Sequence, residues 1–286
     1  MSAIHKRFLA FHQKISIPKN KITELKKSKQ ALKQRIIDFF KDKKEVTTPK
    51  FYIQGSYKMN TMVLDKLGTY DVDLGVYFSE KPKVEPAILQ KWVLQAVKNH
   101  TSEPPQHREK CIRVVYRRKF HIDLPIYYQT QGDRHPFLAT KLGWEKSNPE
   151  ELCTWFDGKK KAEGQLLRVV KYVKVWAKQR KKKMPSGIAL TVLVVKHYKP
   201  NKRDDLAFCY TIDAIYKKLI ITPCLPIEVL NPMVPHDNLV AQLDLTQQDN
   251  FLKAMKTLVE NANHAILNRD ATKAINLWQQ QLGAYF

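Results

Sequence analysis

Apolar residues recur at every second position between 71 and 78 of this chain of 286 residues. Asp71 and Asp73 fall on one side of the pattern, and the other side carries four apolar residues, Val72, Leu74, Val76 and Phe78. A period of two residues predicts a β-strand, because successive side chains of a strand point to opposite faces. The same alternation recurs around Asp123, with His121 on its side and Ile122 on the other. Both stretches are therefore predicted to be strands that carry carboxylates on one face.

A longer period marks much of the remaining chain. Between residues 20 and 45, six apolar residues share one helical stripe: Ile22, Leu25, Leu32, Ile36, Phe39 and Phe40. Strands are predicted near residues 51–55, 71–78, 111–118 and 120–128, with a helix at 85–99. From about residue 150 the pattern is helical, as in Phe251, Ala254, Met255, Leu258, Val259 and Ala262. We predict an α+β fold: a long N-terminal helix and a sheet-containing core over residues 1–150, packed on an all-helical lobe over residues 151–286.

The paired aspartates have a chemical reading as well as a structural one. Asp71 and Asp73 would lie roughly 7 Å apart on one strand face, and two carboxylates in a cleft repel each other unless a cation lies between them. A third carboxylate on a neighbouring strand, Asp123, would complete a site for two metal ions. The alternative is that these aspartates are solvated at the start of a strand, but aspartate is depleted in strands.

Gly55 and Ser56 follow the apolar run Phe51-Tyr52-Ile53 and precede a segment that can begin a helix. Glycine allows a ligand to approach the backbone, and exposed N–H groups at a helix start favour phosphate. Turns of every kind use these two residues, so the pair alone is weak evidence. Its position upstream of the two aspartates strengthens the prediction of a phosphate site.

The helix predicted from Gly164 to Lys182 has two distinct faces. Apolar residues occupy one arc, and a second arc holds four lysines: Lys171, Lys174, Lys178 and Lys182. The predicted helix packs on one face and presents a basic face on the other, either to an anion or simply to solvent. Ser186, in the turn that follows, could contact a phosphate or cap the next helix.

A strand ending in Gly55-Ser56, an Asp-x-Asp strand and a third aspartate on a later strand resemble the polymerase β-like nucleotidyltransferase superfamily. Within it the chain is similar to the bacterial CD-NTases of anti-phage signalling, which are relatives of cyclic GMP-AMP synthase and 2′-5′ oligoadenylate synthase. The segments Leu166–Trp176, Met184–Thr191 and Ile227–Pro232 with Asn238-Leu239 extend the resemblance over most of the chain. The gap between Ser56 and Asp71 is at the long end of the superfamily pattern, which leaves the geometry of that loop open.

The resemblance implies an activity, a cofactor and site residues. Asp71, Asp73 and Asp123 would be the catalytic residues and would bind two Mg²⁺ or Mn²⁺ ions, while Gly55 and Ser56 contact the nucleotide. Lys171 and Ser186 would contact its triphosphate. The product would be a cyclic di- or trinucleotide, made from NTPs and read by a downstream effector in a CBASS-like defence system.

Composition changes this picture in one respect. The formal net charge is +23, and residues 1–50 hold fourteen Lys and Arg against four Asp and Glu. Such a surface attracts polyanions. It could bind an RNA or DNA activator, and the alternative is a lysine-rich surface that is only solvated. Four scattered cysteines and nine scattered histidines indicate no zinc site. The absence of a long apolar run or a signal peptide predicts a cytoplasmic protein without a membrane partner.

Two other functions stay open at this point. The chain could be a different transferase of the superfamily, such as a linear oligonucleotide synthase, an RNA-tailing enzyme or an enzyme that modifies a small acceptor. It could also be a non-catalytic nucleic-acid-binding protein in which the basic surface matters and the carboxylates do not. Intact carboxylates argue against the second alternative.

Overall fold

The computed structural model describes residues 3–65, 67–160, 164–221, 226–234 and 236–286. The helices of this part of the chain are α1 (Ala3–Ile15), α2 (Lys19–Phe40), α3 (Gly55–Lys58), α4 (Pro86–Val97), α5 (Pro149–Lys159), α6 (Gln165–Lys178), α7 (Gly187–His197), α8 (Asp204–Ile221), α9 (Leu245–Leu267) and α10 (Ala271–Leu282). Its strands are β1 (Lys50–Gln54), β2 (Asp71–Phe78), β3 (Gln106–His107), β4 (Ile112–Tyr116), β5 (Phe120–Leu124), β6 (Ile126–Tyr128), β7 (Phe137–Thr140) and β8 (Gly143–Lys146). The predicted α+β fold class is confirmed.

Two compact units share the chain. The sheet unit comprises Ile17–Met62 and Leu67–Thr154, and the helical unit comprises Met1–Ser16, Val63–Lys66 and Trp155–Phe286. The helical unit is thus discontinuous in sequence, because α1 packs with helices from the second half of the chain. No described helix is both long enough and apolar enough to cross a bilayer.

The sheet is mixed and centres on β2. Its strands lie in the order β3-β4-β5-β2-β6-β7-β8, and β1 pairs with β2 in addition. The strand β2 is antiparallel to β1 and parallel to both β5 and β6. Pro125 separates β5 from β6, since proline cannot donate to the ladder, and its carbonyl instead accepts from Val76 N at 2.9 Å. The single strand predicted at 120–128 is therefore wrong in this detail.

The apolar face of β2 lies in the core of the sheet unit, as the alternation predicted. Four side chains of this face are at most 1% exposed: Val72, Leu74, Val76 and Phe78. The ring of Phe40 in α2 packs on Phe78 with centroids 5.3 Å apart. The predicted helix at 20–45 ends five residues early, at Phe40, because the charged residues after it offer no apolar position to continue the packed stripe.

The helical unit has an aromatic core. Phe8 of α1 packs against three rings, those of Tyr172, Trp278 and Phe286, with centroids 4.8–5.1 Å apart. Asp204 lies fully buried beside this core and accepts bonds from Arg168 Nε at 2.6 Å and Tyr172 Oη at 2.9 Å. The predicted helix face at residues 251–262 is confirmed in α9, with Ala254 half-buried and the others buried.

Candidate active site

The three predicted carboxylates lie on adjacent strands at the centre of the sheet. Asp73 of β2 is directly opposite Asp123 of the parallel strand β5, and Asp71 is opposite His121. Directly opposed residues of paired strands point to the same face. Gln54 of β1 is opposite Asp73 on its other side, and Arg113 of β4 is opposite Asp123. One row of the sheet therefore reads Gln54, Asp73, Asp123, Arg113.

Arg113 binds the third carboxylate with a two-pronged ion pair. Its Nε lies 2.7 Å from Asp123 Oδ1, and one terminal nitrogen lies 2.7 Å from Asp123 Oδ2. Both side chains are mostly buried, at 14% and 13% exposed. Burial alone would lower the pKa of Arg113, but the hydrogen bond and the charge of Asp123 outweigh it and raise that pKa. A fixed positive charge therefore lies against Asp123.

The same arginine reaches the aspartate pair on β2. A terminal nitrogen of Arg113 is 3.2 Å from Asp71 Oδ1, and the other is 3.3 Å from His121 Nδ1. That imidazole nitrogen also lies 3.0 Å from Asp71 Oδ1. Asp71, at 46% exposed, is the most open of these groups. His121 thus contacts both a carboxylate and the guanidinium.

Gly55 lies directly against Asp73. Its φ is +62°, and a Cβ built on it would be only 2.1 Å from Asp73 Oδ2. Any side chain at this position would displace that carboxylate. The helix α3 that begins here is a single turn, after which Asn60 takes a positive φ of 57°. The structure therefore brings the Gly55-Ser56 turn to the carboxylates, although the helix after it is very short.

A buried tyrosine network fixes the other end of the row. Gln54 Nε2 donates to Tyr127 Oη at 3.0 Å, and Tyr77 Oη donates to Gln54 Oε1 at 3.2 Å. The two tyrosine rings are stacked with centroids 4.5 Å apart. A Cβ at Gly75 would lie 2.5 Å from the Tyr77 ring and 2.7 Å from Gln54 Oε1. Glycine at position 75 therefore makes room for the network that holds Gln54 beside Asp73.

The donor set of this face suits a hard divalent cation, because carboxylate oxygens are the ligands that Mg²⁺ and Mn²⁺ prefer. Gly55 leaves Asp73 room to present its carboxylate. Within the described ranges, however, no three carboxylate, imidazole or thiol groups converge as a set that could hold a metal ion. Arg113 occupies both oxygens of Asp123 where the two-ion prediction places a ligand.

Cysteine provides no metal site in the described residues either. Cys111 and Cys209 are free thiols, and another cysteine, Cys224, lies outside the described residues. Burial raises the pKa of Cys209 to about 12, so its thiol stays protonated at neutral pH. The thiolate, and not the thiol, is the metal ligand.

Lys171 belongs to the helical unit and is only 4% exposed. Its Nζ donates to Ser16 Oγ at 3.1 Å, and Ser16 Oγ donates to the carbonyl of His12 at 2.7 Å. Burial lowers the pKa of Lys171 to about 8. Burial, together with the charges of Lys171 and Arg168, lowers the pKa of His12 to about 4. The exposed basic face predicted for this helix is therefore wrong at Lys171 and at Lys174, which is 7% exposed, and Lys182 lies beyond the end of α6 at Lys178.

Lys174 is the lysine that lies beside the predicted serine contact. A Cβ at Gly187 would be 3.8 Å from Lys174 Nζ, and Gly187 directly follows Ser186. Ser186 is exposed and is the N-cap of α7, where its Oγ accepts from Ala189 N at 3.2 Å. The structural role considered for Ser186 is thus present, while its contact with phosphate stays a prediction.

Sequence reasoning missed two functional candidates, Arg113 and Gln54. The alternation of β4 places Ile112 and Val114 in the core and Arg113 on the opposite face. The position of Arg113 on the polar face of this strand could therefore have been predicted from the sequence. Its pairing with Asp123 depends on the register of β4 with β5, which no local pattern specifies.

Three comparisons with known proteins now bear on the chain. Residues 49–127, which contain β1, β2, β4 and β5, match the family described as "Cyclic GMP-AMP synthase DncV-like, nucleotidyltransferase domain". This range includes all three carboxylates and the Gly55-Ser56 turn. This part of the chain is therefore similar to a DncV-like nucleotidyltransferase domain.

Two curated relatives are similar to longer parts of the chain. A cyclic GMP-AMP synthase of Escherichia albertii is 31% identical over 210 residues, which are 66% of this chain and 47% of that protein. The chain thus spans about half the length of this relative. A cyclic AMP-AMP-AMP synthase of an Acinetobacter species is 26% identical over 254 residues, covering 82% of this chain and 72% of the relative.

A solved structure shows the same fold. Vibrio cholerae DncV cyclic AMP-GMP synthase, in complex with the linear intermediate 5′ pppA(3′,5′)pG, matches with a TM-score of 0.78 at 17% identity. The match covers 96% of this chain and 92% of that one. The DncV-like fold therefore extends well beyond the matched domain, over almost the whole chain.

Proposed function

We propose that this chain is a metal-dependent nucleotidyltransferase that joins NTPs into a cyclic di- or trinucleotide. The observation that carries the proposal is the row of the sheet in which Asp73 and Asp123 face the same side on paired parallel strands. Asp71 lies two residues from Asp73 on that face, and the Gly55 backbone is packed against Asp73. The match of residues 49–127 to a DncV-like nucleotidyltransferase domain supports the same reaction.

In the proposed reaction a ribose hydroxyl attacks the α-phosphate of a donor NTP. The new bond joins the hydroxyl oxygen to phosphorus, and the bond to the departing pyrophosphate breaks. Asp71, Asp73 and Asp123 would hold two divalent ions, Mg²⁺ or Mn²⁺. Such ions lower the pKa of the attacking hydroxyl and neutralise charge on the phosphates. Asp71 and Asp73 thereby position the donor, and Asp123 acts on the side of the acceptor hydroxyl.

The Gly55-Ser56 turn would contact the phosphates. The close packing of Gly55 on Asp73 keeps the backbone near the carboxylate that positions the donor. The half-buried Ser56 supplies a hydroxyl donor at the same turn. A turn without a Cβ at its first position can approach a phosphate more closely than any other residue allows.

Lys171 and Ser186 stay proposed contacts to the triphosphate. Lys174 joins them as a candidate, because its Nζ lies 3.8 Å from a Cβ built on Gly187, the residue after Ser186. A lysine amine that binds phosphate would do so as a compact positive charge.

A second transfer in the same site would close the ring. The relatives named above are synthases of a cyclic dinucleotide and a cyclic trinucleotide, which supports a cyclic product and leaves ring size and base identity as alternatives. A CBASS-like role in anti-phage defence, with an effector that reads the product, follows from the family resemblance.

An RNA or DNA activator is part of the proposal through the basic surface. The helix α2 carries seven Lys and Arg but only Glu24 and Asp38 as acids. Lys29 is buried over the ring of Tyr57 at 4.5 Å, and burial together with Lys33 lowers its pKa to about 8. The exposed lysines of this helix are the ones that a polyanion could reach.

Product analysis tests the proposed function. The purified chain is incubated with Mg²⁺ or Mn²⁺ and the four NTPs, with and without RNA or DNA, then treated with phosphatase and analysed by mass spectrometry. We expect phosphatase-resistant di- or trinucleotides, and their masses identify the bases. Linear products would favour an oligonucleotide synthase, tailed RNA would favour a tailing enzyme, and RNA binding without turnover would contradict catalysis.

A further inference from the structure

The third carboxylate of the site already has a cation. Arg113 contacts both oxygens of Asp123 at 2.7 Å and one oxygen of Asp71 at 3.2 Å. A guanidinium fork on a carboxylate is a strong, directional pair, and this one is mostly removed from water. A divalent ion bound by two oxygens of Asp123 would have to take the place of this fork.

The formal charge of the site shows how Arg113 affects the binding of metal ions. Asp71, Asp73 and Asp123 with Arg113 carry a formal charge of −2 when His121 is neutral. One divalent ion neutralises that charge, so a second ion would enter a site without net attraction. Without the arginine the three carboxylates carry −3, and one negative charge would be left to attract the second ion.

We propose that Arg113 is a built-in counter-ion of Asp123 that limits the nucleotide-free chain to one divalent ion. The second ion binds when a triphosphate brings its own negative charges to the site and Arg113 releases Asp123. The inference rests on the proposed function for the role of that second ion. It makes Arg113 a positioning residue, which acts through Asp123 and controls when this carboxylate can bind metal.

Metal binding can be measured without turnover. Free Mn²⁺ is titrated by electron paramagnetic resonance into the nucleotide-free wild type, Arg113→Gln and Arg108→Gln. We expect the wild type to bind one ion, and a second at least about tenfold more weakly. Arg113→Gln should strengthen the second site about tenfold. Arg108, whose terminal nitrogen bonds Gln106 at 3.2 Å, provides a variant with the same loss of charge away from the carboxylates, and it should bind as the wild type does.

A double variant tests whether the effect passes through Asp123. Arg113→Gln combined with Asp123→Asn should lose the second ion again, because the ligand that the arginine covered is gone. If Arg113→Gln binds Mn²⁺ no better than the wild type, or binds it more weakly, the inference is wrong. In that case Arg113 would hold Asp123 in place for the metal instead of competing with it.

The wild type itself offers a second measurement in case Arg113→Gln does not fold. In the chain labelled with ¹⁵N-arginine, the Nε–H signal of Arg113 is assigned from its loss in Arg113→Lys. We expect this Nε–H to exchange slowly with water in Mg²⁺ alone, because it stays bonded to Asp123, and to exchange faster in Mg²⁺ with a non-hydrolysable NTP. Faster exchange with Mg²⁺ alone would overturn the inference. Neither measurement requires product, so the counter-ion role of Arg113 can be confirmed or refuted even in a chain without synthase activity. If the chain is active but Arg113→Gln leaves metal binding unchanged, the counter-ion role is wrong and the proposed function stands.

Discussion

Replacing Gly55 with alanine should lower the catalytic rate strongly while it lowers the stability of the fold only modestly. The new Cβ would lie 2.1 Å from Asp73 Oδ2, whereas contacts under 3.0 Å require an atom to shift. The carboxylate must therefore move by about 1 Å, and a displacement of this size in a catalytic group can lower the rate about 100-fold. The backbone at φ +62° adds about 1–2 kcal/mol of strain for a residue with a side chain.

Gly68 provides the matched control. It has a similar φ of +71°, but a Cβ there would have only Lys21 Nζ near it, at 3.7 Å. Gly55→Ala and Gly68→Ala should thus lose a similar stability, about 1–2 kcal/mol, in denaturant unfolding, because the atom that must shift at Gly55 is at the far end of a flexible side chain. Only Gly55→Ala should lose kcat in a pyrophosphate-release assay. If the kcat of Gly55→Ala is within about threefold of the kcat of Gly68→Ala, the assignment of Asp73 as a positioned catalytic carboxylate is wrong.

Further predictions concern the helical unit. Asp204→Asn should cost about 3–5 kcal/mol at pH 7, since it removes the fully buried carboxylate that pairs with Arg168. Asp213→Asn removes a more exposed carboxylate, which pairs with Lys217, and should cost less than about 1 kcal/mol. Burial alone would raise the pKa of Asp204, but its bonds to Arg168 and neighbours lower it. Its stabilisation is therefore present above the ordinary pKa of 3.8 and is lost as the pH falls through the folded value; urea unfolding of wild type and variant at pH 7 and in acid checks this. Lys171→Met should be more stable than the wild type at pH 7, and the difference should shrink between pH 8 and 10.5, because the buried amine has a pKa of about 8 against an ordinary 10.5; an unchanged difference across that range would contradict its burial as a charge. Lys174→Met should raise KM for NTP more than Lys171→Met does, and the reverse order would return the phosphate contact to Lys171.

The central strands were predictable because their local pattern and their environment agree. Alternation placed Asp71 and Asp73 on one face of β2 and Asp123 opposite the apolar face of β5, and the burial patterns of the two strands agree with it. The break between β5 and β6 at Pro125 could also have been predicted, since proline interrupts the hydrogen-bond ladder of a strand. The length of α2 was overestimated because a periodic stripe does not show where packing stops.

Contacts between distant residues could not be predicted in the same way. The aromatic core of the helical unit joins Phe8 to Phe286, at opposite ends of the chain. The ion pair of Arg113 with Asp123 needs the register of β4 and β5, and the burial of Lys171 needs the position of α1 beside α6. These features depend on tertiary pairing, about which local periodicity carries no information.

The central claim is that the carboxylates on the face of β2 carry out nucleotidyl transfer. The direct measurement is pyrophosphate release from NTPs with Mn²⁺ or Mg²⁺ by the wild type, Asp71→Asn/Asp73→Asn and Asp38→Asn/Asp42→Asn. The last variant removes the same two charges from exposed positions at the end of α2 and beyond it. We predict metal-dependent release by the wild type and the control and none by Asp71→Asn/Asp73→Asn with its fold intact by circular dichroism. Undiminished release by Asp71→Asn/Asp73→Asn would contradict the account.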